Sequence, residues 1–431
     1  MSEHQINHHN QQTLVFSLAN GLTNGGVTTW AMNTCQRMAA KGQQALILAH
    51  RAATGQQELT AKTNIRIIRC NINASETQLT PVEIKESSRC YESIPDPVYF
   101  PNWSWGTWSS VATILRNPAK PCRVIGIAHT DESSYYSLLI YYESIISKFI
   151  AVSNAIEERL IQELPTRRND IVRLSYPLAI KTGQIRSDHP RQELRIGYAG
   201  RIQDYQKRIS DLKSLASKLS TLPGNYCFEI AGDGTHLPEL IAFFDTNHYD
   251  NITIRFHGLI ESVNMPDFWS NIDVAILFSS HEGLSISMIE SMAAGCVQRV
   301  TNVSGVSDSV VHGIRGFIHE VGDTTEMANH LQLLHDNPEQ LRLMSEACIN
   351  HVKRHHDPDH YDEVLLSLTR QAWEQPQRYW PRFKRLIPPE VSAGLKNKNR
   401  VNHNISLKGR IKLRILSMIN ASNRNDSNVQ N

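Results

Sequence analysis

The chain has 431 residues, of which 40% are hydrophobic and 20% are charged, and its formal net charge is +2. These values are ordinary for a globular protein of two domains or more, and they exclude a largely disordered chain. No stretch approaches the ~20 consecutive apolar residues of a bilayer span, and the N-terminus is polar where a signal peptide is apolar, so we expect a cytosolic protein.

The cysteines and the N-terminal histidines do not indicate a metal site. Seven cysteines are scattered along the chain without a CxxC pair, so we expect reduced thiols rather than disulfides or a zinc centre. His4, His8 and His9 lie in a segment rich in Gln and Asn, which is more typical of a disordered tail (residues 1–12) than of a ligand set. We therefore predict no bound metal.

The first half of the chain alternates short β-branched runs with helical patterns, which predicts a parallel sheet covered by helices on both faces. The predicted strands are Thr13–Leu18, Ala45–Ala49, Ile65–Arg69, Val98–Pro101, Arg123–Ala128 and Phe149–Val152. Helices are predicted after Thr28, Trp105, Ser134 and Asn154. Together these elements predict an α/β domain over residues 13–185.

The polar segment Lys181–Glu193 contains Gly and Pro, as interdomain linkers usually do. The alternation then restarts and predicts a second α/β domain over residues 190–360. Its predicted strands are Leu194–Ala199, Tyr226–Ala231, Ile252–His257, Val274–Phe278 and Gln298–Thr301. Its predicted helices are Lys207–Ser220, Met288–Ala294 and Thr324–Leu334.

The end of the chain is basic. A helical extension over residues 361–390 is predicted to lead into a tail over residues 391–431, and from Arg378 onward only Glu390 and Asp426 oppose many Lys and Arg. Because aromatic and aliphatic side chains are interleaved with these cations, the composition favours an anionic membrane surface over nucleic acid. A solvated, disordered tail is equally compatible with it.

The strongest local signal is HEGLSISMIESMAAGC (residues 281–296), which follows an apolar strand and places Glu282 in a turn and Glu290 on a helix. Ligands of doubly wound sheets bind beyond the carboxyl ends of the strands, where helix N-termini favour phosphates. A structural alternative is that Ser287 and Glu290 form a capping box, since they have its S-x-x-E spacing. Glu282 is equally compatible with an ordinary surface carboxylate.

This motif resembles that of the retaining glycosyltransferases of family 4, which have the GT-B architecture of two facing Rossmann-like domains with parallel sheets. That family carries two glutamates with seven residues between them, as Glu282 and Glu290 have. The resemblance implies that Glu282 is catalytic and that Glu290 binds the donor. It also implies donor contacts from Gly283, Leu284, Ser285 and Ile286, although the family is usually Gly-Pro-rich at Ser285–Ser287.

A second motif, IGYAGRIQDYQKRISDL (residues 196–212), places Arg201 and Lys207 after a strand. Two cations there can neutralise a leaving diphosphate, although two solvated surface cations are the common alternative. The motif resembles the family's Gly-Arg…Lys signature, whose cations hold the donor diphosphate. Gly232 lies in a Gly-Asp-Gly turn similar to the one that leaves room for the nucleotide base in that family.

In the first half, Gly25 and Gly26 follow the first strand, where a backbone without Cβ can approach a phosphate, although a plain flexible loop has the same composition. The family has a similar turn, which implies donor binding. His129 follows a later strand and resembles the histidine that contacts the donor sugar, although a lone His is usually structural. Trp103, Trp105 and Trp108 are candidates for stacking on a sugar, with core packing as the commoner explanation.

The resemblance covers roughly Thr13–His360 and implies a retaining, metal-independent glycosyltransferase. Its N-terminal domain is expected to bind a carbohydrate or lipid-linked acceptor, and its C-terminal domain a UDP- or GDP-linked sugar, with no cofactor. Polysaccharide or glycan synthesis at the inner face of the cell membrane is the expected setting. Two alternatives are a nucleotide-sugar 2-epimerase of the same architecture and a noncatalytic nucleotide-sugar-binding protein.

Overall fold

The computed structural model describes residues 12–23, 25–52, 58, 65–74, 79–179 and 193–388. The described residues exclude residues 1–11 of the tail predicted over 1–12, the tail predicted over 391–431, and most of the predicted linker. The structure therefore does not address the predictions made for those segments.

Among the described residues, the first sheet has seven strands, and its strand pairings are parallel. The strands are β1 (Thr13–Leu18), β2 (Ala45–His50), β3 (Arg66–Cys70), β4 (Pro97–Phe100), β5 (Arg123–Ala128), β6 (Lys148–Ala151) and β7 (Ile171–Arg173). Their order is β3-β2-β1-β4-β5-β6-β7. Every residue of β1 is buried, because helices cover both faces of the sheet.

The helices of this half are α1 (Gly26–Ala40), α2 (Pro81–Glu92), α3 (Trp105–Ile114), α4 (Ser133–Tyr141) and α5 (Asn154–Glu163), with 3₁₀ turns at Glu143–Ile145 and Pro165–Asp170. The predicted strands are present with ends shifted by one residue at most. Sequence reasoning missed β7, because three residues are too few to show a period.

The second sheet contains six parallel strands within the described residues. They are β8 (Leu194–Ala199), β9 (Tyr226–Ala231), β10 (Ile252–Gly258), β11 (Val274–Leu277), β12 (Val297–Thr301) and β13 (Gly316–His319). Their order is β10-β9-β8-β11-β12-β13. The short strand β13, like β7, was not predicted.

The helices of the second half are α6 (Asp204–Lys207), α7 (Asp211–Leu219), α8 (Leu237–Thr246), α9 (Met265–Ser270), α10 (Ile286–Ala293), α11 (Thr324–Asp336) and α12 (Pro338–His355), with a 3₁₀ turn at Ser262–Asn264. The helix predicted over Lys207–Ser220 is present as α7, but it begins at Asp211 rather than at Lys207. Arg208 adopts a left-handed conformation, with φ of 46°, which ends α6 and separates it from α7.

The last helix, α13 (Pro358–Glu374), returns to the first half of the chain. Its Asp362 is fully buried and accepts a hydrogen bond of 3.0 Å from Arg37 of α1. Tyr361 accepts one of 2.8 Å from the indole of Trp30. These contacts couple the two halves. Within the residues the structure describes, no helix is both long and apolar enough to cross a membrane.

Candidate active site

The two pairs of predicted donor residues lie at the point where the second sheet changes direction. The chain passes from β8 to β9 and β10 on one side, and then returns to β11 beside β8. Such a switch point opens a crevice at the carboxyl ends of two neighbouring strands, where ligands of α/β proteins bind. Arg201 and Lys207 follow β8, and Glu282 follows β11, so the fold places both motifs at one crevice.

Lys207 and Glu282 form a buried ion pair in that crevice. The Nζ atom of Lys207 lies 2.5 Å from Oε1 of Glu282, and their side chains are 13% and 8% exposed. The hydroxyl of Ser279 donates a second hydrogen bond of 2.6 Å to the same oxygen. Oε2 of Glu282 accepts none from the described residues, so it is the oxygen left for a ligand hydroxyl. Glu282 is therefore not an ordinary surface carboxylate.

Arg201, in contrast, is exposed. Its Nη2 donates a 2.7 Å hydrogen bond to the side-chain oxygen of Gln206. In turn, the amide of Gln206 donates to the backbone oxygen of His281, 3.1 Å away. Gln206 thus ties the turn after β8 to the turn after β11, and it holds the guanidinium beside the ion pair with one face toward solvent.

Gly232 is required by packing. Its φ is +134°, and an added Cβ would lie 1.9 Å from the backbone oxygen of Gly200. A Cβ at Gly234 would lie 2.3 Å from the backbone oxygen of Ile202. Only glycine allows such an approach. The Gly-Asp-Gly turn therefore packs directly on the segment that carries Arg201.

The capping-box alternative for Ser287 and Glu290 is wrong. Helix α10 begins at Ile286, and its N-cap is Ser285, whose hydroxyl accepts a hydrogen bond from the amide of Met288. Glu290 is the fifth residue of the helix, two positions beyond the acidic position of a capping box. Its carboxylate therefore does not take part in capping α10.

Glu290 has a perturbed acidity. Burial raises the pKa of its carboxyl to about 7, and the indole of Trp269 opposes the rise. A carboxyl group with its pKa near neutrality in a crevice is a feature of functional sites. Near pH 7 it changes from a hydrogen-bond donor to a group that only accepts.

Gly283 joins the two halves of the molecule. It forms an isolated antiparallel bridge with Thr130 of the segment after β5. A Cβ there would lie 2.2 Å from the backbone oxygen of His129, and a Cβ at Gly305 would lie 1.7 Å from the oxygen of Gly283 itself. The neighbouring Leu284 is buried in the core. Any donor contact from Gly283 or Leu284 would therefore come from the backbone.

The turn that contains Gly25 and Gly26 faces the same region. A Cβ on Gly26 would lie 3.3 Å from Cδ1 of Ile286, at the start of α10, whereas a Cβ on Gly25 would meet no atom within 4 Å. Gly25 is also the N-cap of α1 and contributes no side-chain hydrogen bond to it. The N-terminus of α1 thus opens toward the crevice, as expected for an anion site.

His129 lies near this region but is locked in place. It is 5% exposed, and burial lowers the pKa of its imidazole to about 3, so it is neutral. Its Nδ1 accepts from the hydroxyl of Tyr176 at 2.8 Å, and its Nε2 donates to Oδ1 of Asn102 at 2.9 Å. Both ring nitrogens therefore have protein partners, and a contact with a sugar requires one of them to be exchanged.

Asn102 is a candidate site residue that sequence reasoning missed, because it holds His129. It follows β4, which neighbours β1 at the switch point of the first sheet, and its φ is +54°. Its amide donates to the backbone oxygen of Ser17 at 2.8 Å, which orients Oδ1 toward His129. A polar residue directly after a strand was the available signal, but the strand order was needed to interpret it.

The three tryptophans have different environments. Trp108 is fully buried, which agrees with the core alternative, and Trp105 is partly buried against that core. Trp103 is 42% exposed, and its ring lies 6.4 Å from that of Tyr135. Trp103 alone presents a substantial aromatic surface to solvent.

Residues 193–337 match the family model described as "Glycosyl transferases group 1". This segment is similar to the glycosyl transferases group 1 family. The match contains Arg201, Lys207, Glu282 and Glu290. It ends before α12, so the group 1 match covers the second sheet and the crevice beside it.

Two curated relatives are similar to parts of this chain. The chain is 29% identical over 143 residues to N-acetyl-alpha-D-glucosaminyl L-malate synthase of Bacillus anthracis, which covers 33% of this chain and 36% of that protein. It is 26% identical over 253 residues to the capsular polysaccharide biosynthesis glycosyltransferase CapM of Staphylococcus aureus, which covers 54% and 64%. The matches thus span less than two thirds of these relatives.

The similarity of the whole fold is broader. The structure of HepE from Anabaena in complex with UDP and glucose superposes with a TM-score of 0.67 at 14% identity, over 84% of this chain and 99% of that one. At this identity the likeness shows the fold alone. The chain therefore has the GT-B fold that the resemblance implied, and the group 1 match lies in its second half.

Proposed function

We propose that the protein is a retaining, metal-independent glycosyltransferase of family 4 that transfers a sugar from a UDP- or GDP-linked donor to a carbohydrate or lipid-linked acceptor. The observation that carries the proposal is the buried Lys207–Glu282 pair at the switch point of the second sheet, opposite the turn at Gly25 and Gly26. A cation, a carboxylate and an open helix N-terminus meet there, and a nucleotide-sugar needs all three.

In this proposal the donor diphosphate lies between Arg201 and Lys207. Their charges neutralise the negative charge that develops as the sugar leaves, which is the usual role of an arginine or lysine clamp in group transfer. Backbone N–H groups at Ser285 and Ile286 add to this field. Oε2 of Glu282 accepts a hydrogen bond from a hydroxyl of the transferred sugar, and the carboxylate of Glu290 accepts hydrogen bonds from the ribose hydroxyls.

The reaction follows from this placement. The acceptor hydroxyl forms a bond to the anomeric carbon on the face from which the diphosphate departs, while the bond to the diphosphate oxygen breaks. The departing diphosphate takes the proton of the acceptor hydroxyl. Attack from the same face retains the anomeric configuration. Retention itself rests on the resemblance to family 4.

His129 contributes to the sugar subsite in this proposal. Its low pKa keeps it neutral, so it acts by hydrogen bonding rather than by donating charge. Because Asn102 holds Nε2 in the absence of ligand, the sugar would replace that partner or be contacted by the backbone of the same segment.

The acceptor is proposed to bind on the first half of the chain, where Trp103 and Tyr135 offer an aromatic surface to a sugar ring. The relative CapM is named for capsular polysaccharide biosynthesis, which supports a role in cell-envelope glycan synthesis. A cytoplasmic protein that associates with the inner face of the membrane through its basic C-terminal segment would reach a lipid-linked acceptor there.

The direct test is turnover of a panel of UDP- and GDP-linked sugars, with and without a mixed extract of acceptors. A transferase releases nucleoside diphosphate only when acceptor is present and forms a glycoside in which the anomeric configuration is retained. An epimerase would change the donor sugar without acceptor, and a noncatalytic protein would bind the donor without turnover. Either of these results would replace the proposal.

A further inference from the structure

A polar cavity of about 560 Å³ lies between the two halves of the chain, and none of its lining residues belongs to the crevice described above. One wall is formed by the start of α5 and the residues at the end of β7. The other is formed by the Asp308–Arg315 segment, the end of α12 and the start of α13. A volume of this size accommodates a small metabolite.

The cavity is lined by cations and imidazoles. Arg173 and Arg315 lie on opposite walls, and His351, His355, His356 and His360 come from the elbow between α12 and α13. Within the described part of the chain, no cluster of three or more His, Cys, Asp or Glu side chains is arranged to hold a metal ion. We therefore expect the histidines to act as hydrogen-bond donors rather than as metal ligands.

The two carboxylates of the cavity are already engaged by helix termini. Oδ2 of Asp308 accepts a 2.6 Å hydrogen bond from the backbone amide of Asn154, the first residue of α5. Asp357 is the N-cap of α13 and accepts from the amides of Asp359 and His360. The negative charge of these two carboxylates is thus offset by two helix dipoles. Arg173 has partners of its own, since its Nε lies 3.9 Å from Oε2 of Glu157 and its Nη1 donates to Oδ1 of Asn154 at 2.8 Å.

One buried donor of the cavity wall lacks a partner. His351 is 9% exposed, and its Nε2 has no hydrogen-bond partner among the described residues. A buried polar nitrogen without a partner is unfavourable, so an acceptor atom that reaches it would stabilise it. Arg315 is partly exposed and donates from Nε to the backbone oxygen of Ser309, but it forms no ion pair with any residue that the structure describes.

We propose that this cavity binds a small anion that carries a phosphate group, held by Arg173, Arg315 and His351. Arginine suits phosphate because its guanidinium presents paired N–H donors to two oxygens. Since Arg173 belongs to the first half and Arg315 to the second, the anion bridges the halves. The proposal does not depend on the glycosyltransferase activity.

The cavity is also linked to the active site through a single residue. His356, in the cavity wall, hydrogen bonds through Nδ1 to the backbone oxygen of Tyr176 at 2.7 Å. The hydroxyl of Tyr176 donates to Nδ1 of His129 at 2.8 Å. A chain of two hydrogen bonds through Tyr176 thus joins the cavity wall to His129.

The test is calorimetric titration of the full-length protein, without nucleotide-sugar, with inorganic phosphate, glucose 1-phosphate and uncharged glucose. We expect the two phosphates to bind and glucose not to bind. Arg173→Gln and Arg315→Gln should each weaken binding about tenfold or more, the effect of losing one charge-assisted hydrogen bond. Binding of glucose 1-phosphate but not of inorganic phosphate would identify a sugar phosphate as the ligand.

A matched variant locates the site. Arg354→Gln changes an exposed cation at the end of α12, outside the cavity, and it should bind phosphate as the parent does. Absence of binding, binding that neither Arg173→Gln nor Arg315→Gln weakens, or equal weakening in all three variants would overturn the proposal. Arg173 is 48% exposed, so its variant is expected to fold, and thermal melts of each variant check this.

Discussion

The ammonium of Lys207 and the carboxylate of Glu282 are 2.5 Å apart, although their positions in the chain differ by 75. The pair forms because β8 and β11 are neighbours in the sheet. It holds both charges in place before a ligand arrives, so little reorganisation is needed when negative charge develops.

The first prediction concerns the stability of this pair. Lys207→Met should lower the free energy of unfolding by about 3 kcal/mol, because it leaves a buried carboxylate without its partner. The double variant Lys207→Met/Glu282→Gln should recover much of that loss, since the unpaired charge is gone. Urea unfolding of the parent, both single variants and the double variant measures the coupling. Strictly additive effects would show that the two residues do not interact.

The second prediction concerns Arg201. Because this residue is exposed and makes one side-chain hydrogen bond, Arg201→Ala should leave the melting temperature unchanged. Its turnover should nevertheless fall by about 100-fold or more, as expected from the loss of one charge-stabilising donor. Lys213→Ala is the matched control, since Lys213 pairs with Glu239 on the adjoining helix. Equal turnover in both variants would remove Arg201 from the diphosphate clamp.

The third prediction separates two glycines by the space around them. Gly283→Ala should destabilise the protein, because its Cβ would lie 2.2 Å from the backbone oxygen of His129. Gly25→Ala should keep the parent stability, since its backbone is extended and its Cβ would meet no protein atom. It should still weaken donor binding, because the methyl group enters the crevice. If Gly25→Ala binds the donor as the parent does, the turn does not contact it.

The fourth prediction uses the pKa of Glu290, which burial raises to about 7. If only the carboxylate accepts the ribose hydroxyls, the dissociation constant of the nucleotide should fall about tenfold between pH 6 and pH 8. Glu290→Gln should remove this pH dependence, apart from the titration of the nucleotide itself. Calorimetry of both proteins at several pH values provides the comparison, and parallel profiles would exclude Glu290 as the titrating group.

The same pKa has a consequence for folding. In the folded state, the carboxyl of Glu290 binds its proton more tightly than an ordinary carboxyl with a pKa of 4.5 does. The contribution of Glu290 to stability is therefore fully present below pH 4.5. Its contribution is lost as the pH rises to about 7. Glu290→Gln should therefore be more stable than the parent at pH 8, by about 2 kcal/mol as an order of magnitude. If the difference in stability between Glu290→Gln and the parent is the same at pH 8 and pH 5, the raised pKa is contradicted.

The fifth prediction concerns the basic C-terminal segment. Full-length protein should sediment with anionic vesicles at low salt and be released at high salt, because screening weakens attraction between charges. A chain that ends near Pro389 should sediment less. Neutral vesicles are the control. Equal sedimentation of both forms, or of neither, would remove the membrane proposal and leave the transferase proposal intact.

The sequence alone determined the fold class and most of the strands. Buried parallel strands must be short, apolar and β-branched, and such runs alternate with helical patterns from Thr13 to Thr301. Arg201, Lys207, Glu282 and Glu290 were also predicted from the sequence as donor-site residues, because each follows a strand or lies at a spacing that resembles the family's. Strand β7, with three residues, is too short to carry a detectable period. Strand β13 was also missed, although β4, β6 and β11 have the same length of four residues.

Only the tertiary structure decided how those residues are used. The point at which the chain leaves β11 decides which serine, Ser285 or Ser287, caps α10. It therefore also decides whether Glu290 takes part in a capping box. The partners of His129 depend on the order of the strands, which places Asn102 beside it, and local pattern does not encode that order. The bridge between Thr130 and Gly283 joins segments more than 150 residues apart in the chain. It forms because both switch points open toward the same space, a relationship that exists only after the two sheets have packed.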